Sequence, residues 1–420
     1  MTDAVGAAVL DPNLCAHPTQ YDELFTRLRR EEPVRWTEPP GCRPFWLLSK
    51  VADIIEVERQ PEIFISHPRT ELQTIVEEEA IKRATGGKAQ ILHTLLHMDG
   101  AEHRSYRGLT QIWFAPPNIK KLETTMDELA KEYVDRLEAF GGQCDFAADI
   151  AIWYPLRVIM MILGIPREEE QEIMRLTQQL TSRRDPEGGV LSEEGNLNPD
   201  GAVIAAQAIF GYFENIYRDR LANPRDDLAS VIAHAKVDGE PITHIAAMSY
   251  YLLIATAGHD TTAATIAGGL LAMIENPDQM EKARNNPEVM NTLPDELIRW
   301  VSPVKHFFRT AAQDYELSGK QIKAGDSLMM AFAGANRDEA VFDDSFAFRL
   351  DRTPNKHVAL GHGAHLCLGQ HLAKLEMRAF FREFLSRVEH IELTGEPIWM
   401  PTTLSGGLTN LPVRYRMRRE

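Results

Sequence analysis

The chain has 420 residues, 44% hydrophobic and 25% charged, the proportions of a globular protein with a sizeable core. Lysine and arginine total 45 against 61 aspartates and glutamates, and the net charge of −16 argues against a surface built for nucleic acid or anionic lipid. No stretch reaches the roughly 18 apolar residues of a membrane span. The start, MTDAVGAAVLDPNLCAHPTQYDE, lacks the basic flank and apolar core of a signal peptide, so a cytoplasmic protein is expected.

In chain order, PVRWTEP and PFWLLSK predict a hairpin around Pro39-Pro40-Gly41. Apolar residues spaced by three and four predict helices around 118–140, 145–163, 202–221, 243–275, 293–301 and 368–388. The polar, Gly/Pro-rich stretch 182–201 reads as a mobile connection between helices. Short strands are predicted within 315–332 and at LPVRYRM near the end. With no repeat and no linker composition, residues 1–420 read as a single domain, mainly α with small β-sheets.

The cysteines are Cys15, Cys42, Cys144 and Cys367, with no CxxC pair, which argues against a zinc ribbon or a cysteine-held iron–sulfur cluster. Cys367 stands apart because of its surroundings, LGHGAHLCLGQHLAK. Gly361 and Gly363 suit a turn where backbone must approach something closely. The helical pattern that follows, with apolar residues at 368, 372, 375, 379, 384 and 388, puts the cysteine at a helix N-terminus, where a thiolate is favoured. A nucleophile, a zinc ligand, an axial haem ligand and an inert buried cysteine all fit that placement.

Gly361, Gly363, His365, Cys367 and Gly369 form G-x-G-x-H-x-C-x-G, which closely resembles the haem-binding loop of the cytochrome P-450 family. The resemblance implies that Cys367 ligates the iron of haem b and that His365 reaches a haem propionate. Leu360 stands where the family usually has Phe. Upstream, ELIR at 296–299 resembles the family's ExxR: Glu296 and Arg299, three apart on a helix, can pair and brace the haem-side core. In SPVKHFFRTA, Arg309 matches the family's propionate-binding arginine. His103 and Arg107, four apart in HMDGAEHRSYRG, match the other propionate contacts.

The segment YYLLIATAGHDTTAATIAGGLLAMI is an apolar helix with polar residues in its middle, where a plain core helix should have none. It resembles the family's [AG]GxDT motif through Ala257, Gly258, Asp260 and Thr261. Thr261 can bond back to the carbonyl of Ala257 and open a kink, and Gly258 allows close approach of a flat ligand. The implied fold places the haem between this kinked central helix and the cysteine loop and helix. The implied catalytic pair is Thr261, holding the oxygen-derived group and its water, and Asp260, admitting protons.

Stretches such as YRGLTQIWFAPPNIKKLE and GAHLCLGQHLAKLEM resemble the terpineol-hydroxylating branch. That implies a monooxygenase using O2 on a compact hydrophobic molecule, a monoterpene, terpenoid alcohol or alkyl-aromatic. Leu253, Thr256, Val304, Phe307 and Leu404 are the candidate pocket residues, with 78–96 as part of a lid whose TGGK is no phosphate loop. The chain carries no flavin or nicotinamide fingerprint. The resemblance therefore implies a two-iron two-sulfur ferredoxin fed by a flavin reductase, which a basic cluster at Arg352, Lys356, Lys374, Arg378 and Arg382 could steer in. No nucleic-acid or membrane partner is expected. A peroxygenase using hydrogen peroxide, a non-catalytic haem sensor and a Cys–His hydrolase are the rival readings.

Overall fold

The computed structural model describes residues 3–181 and 199–419. These form two compact units, one built from 3–73, 116–154 and 261–419, the other from 74–115, 155–181 and 199–260. The stretch 182–198, most of the predicted mobile connection, lies outside the described residues, and 199–201 already belong to the helix Pro199–Ala222.

In the first unit the predicted hairpin forms from Val34–Thr37 and Phe45–Leu48, with Val34 opposite Leu48. It is the edge of a mixed five-stranded sheet. Ser327–Met330 runs parallel to Phe45–Leu48, Phe307–Ala311 antiparallel to Ser327–Met330, and Phe64–Ile65 closes the far side. Leu48, Leu328 and Met330 have no exposed surface, and Ile54 and Val57 of the helix Val51–Glu58 join them in one apolar cluster. A second sheet pairs Val388–Leu393 and Gln143–Asp145 with the C-terminal strand Pro412–Met417.

The helix Gln370–Arg387 is buried on more than the one predicted face. Leu372, Leu375 and Ala379 are covered, and so are Met377, Phe380 and Phe381. It packs against Glu123–Ala139, and Tyr154 of the helix Trp153–Ile162 bridges the two, its ring against Tyr133 on one side and Phe380 on the other. The predicted helix at 293–301 forms as Leu293–Val301, started by Pro294 and ended by Ser302 in a left-handed conformation with φ of 42°.

In the second unit the helix Ile75–Thr85 begins with a reciprocal cap: Glu77 N–H donates to Thr74 Oγ1 at 3.2 Å, and Thr74 N–H donates to Glu77 Oε2 at 2.8 Å. The helix Gly100–Gln111 is tied to the start of the long helix His244–Glu275 by Tyr250. Its hydroxyl bonds Thr110 Oγ1 at 2.7 Å and the carbonyl of Tyr106 at 3.2 Å. His244–Glu275 contributes to both units and runs as one uninterrupted helix. Its threonines bond back one turn, Thr256 to the Leu252 carbonyl and Thr265 to the Thr261 carbonyl. Among the described residues no helix is long and apolar enough to cross a membrane.

Candidate functional site

Cys367 lies just ahead of the helix that the pattern predicts, outside its first turn. The helix starts at Gln370 with Gly369 as its cap, and the cysteine lies just before, in the turn after a short 3-10 segment, Gly363–His365. Its N–H donates to the carbonyl of Leu360 at 2.8 Å, which closes the loop into a ring. From Ala359 to His371 every residue is at least partly exposed, although Leu360, Leu366 and Leu368 are apolar. Such a run costs stability in water unless another apolar surface lies over it.

The loop rests on the end of the helix Val51–Glu58. Gly363 has φ of 63°, and a Cβ there would lie 2.2 Å from the carbonyl oxygen of Glu58, so both the backbone conformation and the contact require glycine. The side chain of Glu58 accepts the His362 amide and, at 3.2 Å, Nη2 of Arg309. Burial pushes this carboxyl up to about 7, and Arg309 and the His362 amide pull against that rise. Arg309 also donates to the Phe308 carbonyl at 2.8 Å, and His365 Nε2 lies 3.1 Å from the hydroxyl of buried Ser66. Sequence reasoning misses Glu58 and Ser66. They precede the cysteine by some 300 positions, and VADIIEVE reads as an ordinary amphipathic helix.

Glu296 and Arg299 pair as predicted, by two bonds of 2.7 and 2.8 Å, and neither side chain is exposed. The network is larger than the motif. Glu296 also accepts from Arg352 Nε at 3.2 Å, Asn355 Nδ2 at 3.0 Å and the Arg349 amide at 2.8 Å. Arg352 therefore leaves the predicted surface cluster, being 5% exposed and committed to this network. Lys374 pairs with Asp295 at 2.7 Å, and Arg382 pairs with Asp127. Lys374, Arg378 and Arg382 nevertheless share the lining of a surface cavity of about 840 Å³ with Lys120, Arg284 and Arg418, against one acid, Glu123. With Lys374, Arg382 and Arg284 each paired to an acid, Lys120, Arg378 and Arg418 leave a local positive excess on a protein of net charge −16.

In the second unit His103 is buried and Arg107 half-buried on the helix Gly100–Gln111, one turn apart on the same face. Arg107 lies close enough to Tyr250 to counter the effect of burial, which pushes that phenol up to about 12. On the long helix, Leu253, Thr256, Ala257 and Asp260 remain accessible in a segment otherwise largely buried, and Thr261 follows them. The spacing of three and four places them in one stripe. Gly258 departs from expectation: a Cβ there would meet Ile159 Cδ1 at 2.4 Å, so the glycine admits a neighbouring helix rather than a flat ligand. The predicted lid at 78–96 comprises the end of the helix Ile75–Thr85 and irregular chain beyond it.

Back in the first unit, the turn carrying Leu404 is joined to the segment after ExxR. Val304 bridges Ser405, and the Lys305 amide donates to the Leu404 carbonyl at 2.7 Å. Val304 and Phe307 are partly exposed and pack against the sheet core. His306 between them is buried. The Leu72 amide donates to its Nε2 at 3.2 Å, and its other ring nitrogen bonds the backbone of Thr403. Burial pushes His306 from 6.5 down to about 4. The unfolded chain therefore takes up this proton first, so the stabilisation is complete above pH 6.5 and is lost as pH falls towards 4. It amounts to about 3 kcal/mol. Urea unfolding at pH 7 and pH 4.5 should show the wild type losing more stability than His306→Gln. Equal losses would refute the assignment. Glu58 acts in the opposite sense between pH 7 and 4.5, so the test compares variants rather than wild-type slopes.

Among the described residues no group of three or more His, Cys, Asp or Glu side chains is placed to hold a metal ion, so the zinc alternative has no ligand set there. The cytochrome P450 family model matches residues 74–419. Cytochrome P450-terp of a Pseudomonas species is 39% identical over 93% of this chain and 92% of its own length. Linalool 8-monooxygenase of Pseudomonas putida is 29% identical over 96% of this chain and 97% of its own. The crystal structure of CYP108D1 from Novosphingobium aromaticivorans, 38% identical, covers 99% of this chain and 98% of that one with a TM-score of 0.90.

Proposed function

The chain belongs to the cytochrome P450 family, a monooxygenase family that uses haem b, and from that premise we propose that it hydroxylates a compact hydrophobic molecule of the monoterpene class. The observation that carries the reading is the stripe Leu253, Thr256 and Ala257, small or apolar surface left open in the middle of a largely buried helix, with the acid Asp260 at its end. The relatives named for linalool oxidation and P450-terp support the substrate class.

The residues present fit the haem. A partly exposed apolar loop presents Cys367, backed by glycines that no other residue can replace at Gly363. Haem iron, when bound, supplies the centre at which O2 is reduced and cleaved so that one atom enters a C–H bond. Cys367 would hold it through sulfur, with backbone N–H groups of the following turn tuning the donation of that sulfur. The family resemblance assigns Arg309 and His365 of the first unit, and His103 and Arg107 of the second, to the carboxylates of the porphyrin, and the loop glycines and Ala257 to its plane. Glu296 and Arg299 keep the surrounding backbone in place without touching the reaction. Thr261 would donate and accept at the oxygen-derived group and hold a water there. Asp260 would carry protons inward from the accessible end of the stripe. The family resemblance assigns Leu253 and Thr256 of the second unit, and Val304, Phe307 and Leu404 of the first, to substrate contact.

Thr261→Ala should leave substrate binding within about twofold while most reducing equivalents appear as hydrogen peroxide, a loss of the order expected for a displaced proton-transfer group. Retention of near-full coupling of NADH to product would refute the role. The substrate class is tested by the haem absorption shift on titration with α-terpineol, linalool and p-cymene, against a steroid of several times their volume. Tighter binding of the steroid would overturn it.

Electrons would come from a two-iron ferredoxin served by a flavin reductase, docking at the positive cavity around Lys374 and Arg378. Arg378→Glu with Lys120→Glu should raise the ferredoxin KM about tenfold at low salt and leave substrate affinity unchanged. The effect should shrink as ionic strength rises. An unchanged KM would remove this surface from the reading.

A further inference from the structure

Asp260 has two neighbours that the motif does not predict. Gln178, on the helix Glu170–Thr181, donates through Nε2 to Asp260 Oδ1 at 3.4 Å. Nε2 of His259 lies 3.2 Å from the same oxygen. His259 has no exposed surface, and neither ring nitrogen has a hydrogen bond of good direction, so the approach to Asp260 is close but misaligned. A buried imidazole left without a bond is destabilising. A small rotation of Asp260 would recover that energy by aligning Nε2–H with Oδ1. The same rotation would stretch a Gln178 contact that is already long.

We propose that His259 is a positioning residue for Asp260. It is the inner holder of a carboxyl that alternates between the imidazole and the outer amide of Gln178. The two donors compete for one oxygen, so each position of Asp260 leaves one donor wanting and neither traps it. His259 donates through Nε2–H throughout and exchanges no proton itself. The alternation moves the carboxyl between the accessible side near Gln178, where it acquires a proton, and the buried side of the helix at His259. This rests on the reading that Asp260 delivers protons, and the test separates the two.

Gln and Met have similar length and volume, but only Gln keeps an N–H donor. With the haem-loaded enzyme and p-cymene, His259→Met should lower kcat about tenfold, a fraction of what a proton-transfer group contributes. It should also raise the solvent deuterium isotope effect and leave the substrate dissociation constant unchanged. His259→Gln should restore most of the rate. Should the His259 variants fail to fold, Gln178→Met removes the outer holder and should lower the isotope effect, an unchanged value overturning the proposal. A readout independent of turnover is the side-chain nitrogen NMR spectrum of the diamagnetic carbon-monoxide complex, in which Asp260→Asn should shift the His259 ring resonances. If Asp260→Asn itself leaves turnover and isotope effect unchanged, the proton-delivery reading fails. If Asp260→Asn slows turnover while His259→Met and His259→Gln behave alike, only the positioning role fails.

Discussion

In the carbon-monoxide difference spectrum of the reduced protein, Cys367→Ala should lose the strongly red-shifted Soret band that the wild type shows. That band reports a thiolate ligand to the haem iron, which Cys367 would supply, and the other cysteines have different settings. Cys42 is buried, Cys144 sits in the sheet beside Pro412–Met417 with its thiol pushed up to about 12 by burial, and Cys15 lies near Lys305. The variant should still fold, because the Cys367 backbone contact to Leu360 does not depend on the thiol and the position is partly exposed. The fold of the apoprotein can be checked by circular dichroism. Activity should fall below detection, since no remaining side chain of the loop has comparable electron donation. His362 and His365 are engaged by Arg59 and Ser66. A red-shifted band that persists in Cys367→Ala would remove the sulfur assignment and return the loop to the hydrolase and sensor readings.

The second large effect concerns a residue remote from the chemistry. Arg299→Leu should prevent accumulation of folded, haem-loaded protein. Arg299 donates to both oxygens of Glu296 and to the carbonyls of Asn336, Ser345 and Ala347, at 2.7 to 3.2 Å, with no exposed surface. Its loss leaves the Glu296 carboxylate buried with only part of its partners and removes a donor from the carbonyls of Asn336 and Ser345, while Ala347 keeps its bond from Arg352 at 2.8 Å. Breaking one side of a buried pair typically costs about 3–5 kcal/mol, a large part of the roughly 5–15 kcal/mol that holds a domain folded. Arg299→Lys keeps the charge but not the fork that meets two oxygens at once, so it should fall between the two. Soluble yield, haem content per chain and the urea midpoint measure the series. An Arg299→Leu protein with wild-type midpoint would show that the network contributes nothing to stability.

The two effects differ in what the sequence discloses. GxGxHxCxG is legible because its parts are adjacent: two turns, a thiol and a helix start fall within nine residues, and each residue type has a local reason. ExxR is legible as a pair because a helix brings residues three apart together. Its meaning is not, because Arg352, Asn355 and the carbonyls of Asn336 and Ser345 reach it only through the fold. Arg352 illustrates the cost. Read along the chain it joins a row of surface cations, whereas its burial removes it from any docking surface. Gly258 is a second case. A glycine in an apolar helix announces a close approach, but whether the visitor is a cofactor or Ile159 depends on which helix the chain folds against it.

The sequence by itself determines the elements whose pattern is periodic or contiguous. These are the hairpin at 34–48, the helices at 293–301 and 244–275, the cysteine turn, and the chemistry those residue types allow. Only the tertiary structure decides which buried charges are satisfied and by what. It places Glu58 between Arg309 and the His362 amide, Ser66 against His365, and His259 and Gln178 on one oxygen of Asp260. The reason is physical. A helix or strand is selected by propensities summed over neighbours, which the sequence displays. A buried polar group is selected by the desolvation it must recover from partners hundreds of residues away, and the chain order carries no mark of them.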